Sequence, residues 1–185
     1  GESSNFLCYR ALRLNYYAVT GLLARVCLYA GQRENAFNYS TEVIKASNNG
    51  IFPFVDRSLV NGTAQDPDRI FSPEVLFALS DSQRGELFEE YFDPSLAPNM
   101  VFRMETDLLE QTIYGGTGTG GNLDDYRCRS NWISSGSARY FYKYSDMTES
   151  GRIENTMIPL LRLGEMYLIA AESQSNSLAN GVSYI

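Results

Sequence analysis

Residues 155–173 read NTMIPLLRLGEMYLIAAES. Leu160, Leu163, Gly164, Tyr167, Leu168 and Ala171 recur there at i, i+3, i+4, i+7, i+8 and i+11, the face of a 3.6-residue period. The spacing predicts one helix from Asn155 to Ser173. Pro159 falls in its first turn, where a missing N–H leaves no helical acceptor unsatisfied. Gly164, Ala170 and Ala171 are small, so a second helix is expected to cross closely at Gly164.

Leu163-Gly164-x-x-Tyr167 is also the L-G-x-x-Y core of a tetratricopeptide first helix. More specifically, IPLLRLGEMYLIAAES resembles the RLAEMYLIAAEA signature of the SusD/RagB family of surface glycan-binding lipoproteins. The match runs through Arg162, Leu163, Glu165, Tyr167, Leu168, Ala171 and Glu172, with Gly164 in place of the usual alanine.

Working outward, a first helical pair is predicted over residues 6–50. Phe6 to Ala30 carries apolar residues at Leu7, Ala11, Leu14, Ala18 and Leu22, and again at Tyr16, Val19, Leu23 and Val26. That pattern implies one long helix buried on more than one side, closed by Gly31. A second helix follows from Glu34 to Ala46, with Ala36, Tyr39, Ser40, Val43 and Ile44 inward, ending at Asn48-Asn49-Gly50. Ala24, Gly31 and Ala36 keep tetratricopeptide spacing, and such a pair needs neighbours to stack on. LLARVCLYAGQRENAFNYSTEVI also resembles the SusD/RagB pattern LLARVYLYMGDWEKALEYADEVI.

Between Ile51 and Asn155 the helical period lapses. Ile51–Phe54 and Glu74–Leu79 read as short extended pieces, Asp107–Tyr114 as a short helix with Leu108, Leu109 and Ile113 inward, and Arg139–Tyr144 as a strand. The many tyrosines and phenylalanines, with the single tryptophan, argue for an ordered, loop-built surface. EVLFAL resembles the family's NEVIFAI segment. DDYRCRSNW followed by YKY resembles its aspartate-x-arginine and lysine-tyrosine landmarks, which fall on Asp125, Arg127 and Lys143; ion pairs pinning the region are the expected role.

Composition narrows the chemistry. The 185 residues are 44% hydrophobic, enough to build a core. A net charge of −7 without a basic run argues against nucleic acid. The absence of histidine removes histidine-dependent triads and His-containing zinc sites. Cys8, Cys27 and Cys128 are odd in number and widely spaced, so buried thiols are expected rather than a disulfide framework.

Gly116-x-Gly118-x-x-Gly121 formally matches a dinucleotide fingerprint but lacks the strand before it and the helix after it, so a loop is expected. Asp66-x-Asp68 is too sparse for a calcium loop. Carboxylates at Glu86, Glu89, Glu90, Asp93, Glu105, Asp107, Glu110, Asp124 and Asp125 leave glycoside hydrolysis open, since it needs only two at the right separation. Aromatic rings cover the apolar faces of sugars, while Asn, Asp and Arg satisfy their hydroxyls. By residue type, Tyr91, Tyr114, Trp132, Asn99, Arg103 and Asn131 are the candidate glycan-binding set.

The fold class expected is mainly α, with tetratricopeptide-like helical pairs and a loop-rich insertion carrying short strands. Residues 1–185 are expected to form a single-domain piece of a longer SusD-like protein: helical pair 6–50, glycan-facing region 51–154 and a truncated helical pair 155–185. The resemblance implies non-enzymatic binding of polysaccharide or oligosaccharide at the outer membrane and import through a SusC-like TonB-dependent transporter. It implies no cofactor, no nucleic acid, and membrane attachment only through a lipid anchor outside these residues. A tetratricopeptide-type protein scaffold and a glycoside hydrolase are the alternatives.

Overall fold

A computed structural model describes residues 9–60, 66–115, 125–148, 151–174 and 181–184. The chain forms two compact units, residues 1–54 with 73–80 and 158–185, and residues 55–72 with 81–157. The fold is mainly helical with small sheets, as expected.

The first unit holds α1 (Tyr16–Tyr29), α2 (Arg33–Asn48), β1 (Val75–Ser80), β5 (Met157–Arg162) and α6 (Leu163–Ser173). Asn15 starts α1: its side-chain oxygen accepts from the Ala18 N–H at 3.0 Å, while its amide donates to the Leu76 carbonyl at 3.1 Å. That cap corrects the predicted long helix from Phe6. Arg10–Leu12 form a separate 3-10 turn, and Phe6 and Leu7 lie outside the described residues. Gly31 takes φ +74°, a left-handed conformation that ends α1 and folds α2 back on it.

The inward face of α1 also differs from the expected one. Ala18, Thr20, Gly21, Ala24 and Cys27 are buried, whereas Leu14, Tyr16, Val19, Leu22, Leu23, Val26 and Tyr29 are exposed. Close neighbours explain the inversion. A Cβ on Gly21 would lie 2.8 Å from a Leu161 methyl, 3.2 Å from the Met166 sulfur and 3.4 Å from a Leu76 methyl. Small residues face the core because only they fit.

Asn155–Ser173 is not one helix. Ile153–Thr156 make a 3-10 turn, Met157–Arg162 pair with β1 as β5, and only Leu163–Ser173 are α-helical. A short apolar run such as Ile158–Leu161 suits strand and helix alike; β1 supplies a strand partner, and Pro159 is tolerated because a two-stranded sheet has only edges. Leu163, Met166, Ile169, Ala170, Ala171 and Ser173 are buried on α6, while Leu168 is 62% exposed. Gly164 meets nothing within 4 Å, so the predicted crossing there is wrong; the crossed glycine is Gly21. The shared core also takes in Val43, Ile44 and Phe52.

The second unit holds α3 (Arg57–Val60), α4 (Arg84–Tyr91), β2 (Arg103–Glu105), α5 (Tyr126–Ser130), β3 (Trp132–Ser135) and β4 (Ala138–Phe141). The strands form an antiparallel sheet in the order β2-β4-β3, with Arg103 opposite Tyr140 and Trp132 opposite Phe141. Gly136, at φ +64°, turns the β3–β4 hairpin. Leu108–Ile113 adopt a π-helical turn with Leu109 buried, whereas Leu108 and Ile113 are exposed, against expectation. Asp68 staples the Ile70–Ser72 turn, accepting from the Ile70 N–H at 3.2 Å and from the Ser72 N–H and hydroxyl, each at 2.7 Å. Those bonds hold Phe71 at φ +58°, a conformation rarely adopted by bulky residues. Val55, Val60 and Phe71 form one small core, and Val101, Ala138 and Tyr140 another. Cys27 and Cys128 are buried free thiols, as expected; Cys8 and Gly116–Gly121 lie outside the described residues.

Candidate functional site

Aromatic rings converge in the second unit. Phe92, just past α4, packs on Phe102 at 6.2 Å, Phe141 at 5.6 Å and Tyr144 at 6.5 Å between ring centres. The strand register brings Trp132 onto Phe141 at 5.1 Å, and Phe102 closes on Trp132 at 5.9 Å and Phe141 at 5.8 Å. Trp132 forms the inner end of the pile at 7% exposure, and Phe102 the outer end at 50%. The Phe102 N–H donates to the Tyr91 carbonyl at 3.2 Å, fixing those two residues side by side along the backbone.

The six candidate residues fall into two groups. Tyr91, Asn99 and Arg103 are exposed. The Glu90 carboxylate, accepting from the Tyr91 hydroxyl, holds that phenol above its ordinary pKa. Trp132 and Asn131 are buried. Asn131 is structural: its side-chain oxygen accepts from the Ser130 hydroxyl at 3.2 Å, and its backbone bonds Arg127 and Tyr142. Tyr114 is half-buried and joins the groups, its hydroxyl accepting from the Trp132 indole at 3.3 Å. Arg127 lies over the Tyr114 ring at 5.7 Å and is held by Asp125 through contacts of 3.0 and 2.6 Å.

Among the sequence landmarks, Asp125 and Arg127 therefore do form an ion pair, while Lys143 lies over the Tyr144 ring at 5.3 Å. Hydrogen bonding to Arg127 holds the Asp125 carboxyl below its ordinary pKa. Other carboxylates are engaged locally: Glu110 pairs with Arg139, and Asp93 accepts from the Ser95 N–H at 2.7 Å. Among the described residues no cluster of Cys, Asp and Glu has metal-binding geometry. Phe92, Phe102, Phe141 and Tyr144 are outside the candidate set; for the last two the RYFYKY alternation signalled a strand but not which rings would meet across the sheet.

The first unit carries a groove of about 390 Å³ between α1 and α6, lined by Arg25, Leu28, Tyr29, Glu165 and Leu168 among others. Arg25 grips Glu165 at 2.6 and 2.7 Å and donates to the Leu160 carbonyl at 2.8 Å. No described helix is long and apolar enough to cross a membrane.

No family model matches this chain, and no curated protein does. Solved structures do match in fold. A SusD superfamily protein from Bacteroides thetaiotaomicron VPI-5482 aligns over 92% of this chain and 39% of its own, with TM-score 0.54 and 20% identity. A SusD-like carbohydrate binding protein from Bacteroides vulgatus ATCC 8482 aligns over 94% and 36%, with TM-score 0.54 and 19% identity. Another Bacteroides vulgatus ATCC 8482 structure gives TM-score 0.57 at 24% identity, over 92% and 37%. The fold is SusD-like, and this chain spans little more than a third of each matched structure.

Proposed function

We propose that this chain binds oligosaccharide or polysaccharide without bond chemistry, on the face carrying Tyr91, Asn99, Phe102 and Arg103. The observation that carries the reading is the aromatic pile. Its outer ring, Phe102, is half in water beside an exposed tyrosine, and polar Asn99 and Arg103 lie nearby in sequence. An apolar sugar face needs such a ring, and its hydroxyls need such neighbours. Trp132 and Asn131 act beneath as support, with Tyr114 at the edge. The SusD-like fold adds an argument by analogy, which folds alone never make decisive. On the same analogy the native setting is the bacterial outer-membrane surface, through a lipid anchor, with a SusC-like TonB-dependent transporter as partner for import.

Affinity electrophoresis against a panel of polysaccharides tests this, beside thermal melts. Tyr91→Ala and Phe102→Ala are expected to weaken retardation several-fold while melting close to the unaltered chain. Incubated oligosaccharide should be recovered uncleaved. Retardation undiminished in both variants removes the site from this face; hydrolysis of the oligosaccharide replaces binding with catalysis.

One observation favours a second reading, a protein-interaction scaffold: the exposed apolar stripe of α1 beside the α1–α6 groove. Loss of transporter capture in Leu22→Glu/Val26→Glu, with glycan retardation intact, would assign partner binding to that face.

A further inference from the structure

The segment that builds the aromatic face of the second unit is strongly acidic. Residues 81–107, which supply Tyr91, Asn99 and Phe102, hold seven carboxylates and two arginines, −5 of the chain's net −7. Of the arginines, Arg84 is 2% exposed and contacts Asp146 at 3.2 Å. Arg103 is exposed, but so is Glu105, which lies two residues on along β2 and so on the same side of the strand.

Negative charge is densest where α4 delivers Tyr91. Glu89 and Glu90 are exposed beside it, and the Glu90 carboxylate accepts from the Tyr91 hydroxyl. Asp93 follows, its carboxyl held below its ordinary pKa by the Ser95 N–H at 2.7 Å. No lysine or arginine occurs between Gly85 and Phe102. Cations near the other rings are matched or set elsewhere: Arg139 pairs with Glu110 and Arg127 with Asp125, while Lys143 lies over Tyr144, a ring that packs on Phe92 and Phe141.

We propose that this face selects uncharged glycans and turns away those bearing uronate or sulfate groups, with Glu89, Glu90 and Asp93 as the selecting residues. The inference rests on the glycan reading of the face and adds its charge class. An anionic sugar stacked on the Tyr91 ring would bring its charge beside these carboxylates, inside the screening length of about 8 Å at physiological salt. Like charges so placed reject a ligand without a steric clash. A neutral sugar instead finds in the same carboxylates acceptors for its hydroxyls.

A matched pair in affinity electrophoresis tests it: a neutral polysaccharide that retards the chain and its carboxymethylated derivative, each at low and high salt. The neutral form is expected to bind several-fold more tightly at low salt. The gap should narrow as salt rises, because salt screens exposed charges and leaves a steric effect untouched. Glu89→Gln/Asp93→Asn is expected to narrow the low-salt gap by strengthening the carboxymethylated arm. The same two-charge change as Glu34→Gln/Glu172→Gln in the first unit tests net charge alone and is expected to leave the gap as it was. Equal retardation by both forms, tighter binding of the carboxymethylated one, a gap indifferent to salt or to Glu89→Gln/Asp93→Asn, or one narrowed equally by the first-unit change overturns the charge selection while the glycan reading stands. Retardation by none of the neutral polysaccharides removes the glycan reading and this inference with it.

Discussion

At the residue scale, two glycines exchange roles between expectation and structure. Gly164 precedes open space, so Gly164→Ala adds no contact and gains helix propensity, up to about 1 kcal/mol. Gly21 sits against Leu161, Met166 and Leu76, which are all buried. There an alanine's propensity gain of about 1 kcal/mol roughly offsets a tight methyl, but Gly21→Leu overpacks by about 1–3 kcal/mol or more. Melting temperatures are expected to rise slightly for Gly164→Ala and fall clearly for Gly21→Leu; the reverse order would mean α6, not α1, is the crossed helix. Trp132 and Phe102 separate in the same way. Trp132→Ala removes a buried ring and is expected to cost about 3–5 kcal/mol, whereas Phe102→Ala leaves a half-exposed position and costs less. Denaturant midpoints for the two variants check that order.

At the element scale, Asp125 does two things for α5. Its carboxylate accepts from the Arg127 N–H at 2.8 Å as the helix cap, and it pairs with the Arg127 guanidinium. Asn retains the cap, so Asp125→Ala is expected to lose about 1 kcal/mol of capping that Asp125→Asn keeps. The pair itself contributes at most about 1 kcal/mol, because the Arg127 side chain is largely in water. The folded-state pKa of Asp125 is lowered, chiefly by hydrogen bonding to Arg127. Its stabilisation is therefore fully present above the unfolded carboxyl value of about 4 and is lost as pH falls through the lower folded value. Denaturation curves between neutral and strongly acid pH should show Asp125→Asn with a smaller acid loss than the unaltered chain. An identical acid loss would place the titrating carboxylates elsewhere.

At the scale of the whole molecule, the apolar surface of α1 stands out. Val19, Leu22, Leu23, Val26 and Tyr29 follow the three-and-four spacing that reads as a core face, yet all are exposed. Leu22→Glu and Val26→Glu are therefore expected to change stability by no more than about 0.5 kcal/mol, as other surface substitutions do. Light scattering on the same variants should show less self-association than in the unaltered chain, since large exposed apolar patches invite contact. A collapse of the melting transition would instead show that the stripe is internal.

Much of this architecture is written locally. A helical pair with its stop at Gly31, a helix within Asn155–Ser173 and extended pieces near Glu74–Leu79 and Arg139–Tyr144 follow from period and turn residues within a few positions, and the odd number and wide spacing of the cysteines pointed to buried thiols, as Cys27 and Cys128 are. The mainly helical class was legible for the same reason, while the SusD-like reading came from the resemblance of the IPLLRLGEMYLIAAES and LLARVCLYAGQRENAFNYSTEVI stretches to that family's patterns. Local pattern could not tell which side of α1 faces inward, because small and large apolar residues alternate there and only the approach of β5 and α6 selects the small ones. Nor could it divide Asn155–Ser173 into strand and helix, since Ile158–Leu161 suits either until β1 offers hydrogen bonds. Of the candidate glycan residues, which residue type alone selected, exposure separates Tyr91, Asn99 and Arg103 from Trp132 and Asn131. Burial is a property of what packs from elsewhere in the chain, and it was the tertiary structure that placed Phe141 across from Trp132 and left Phe102 facing water.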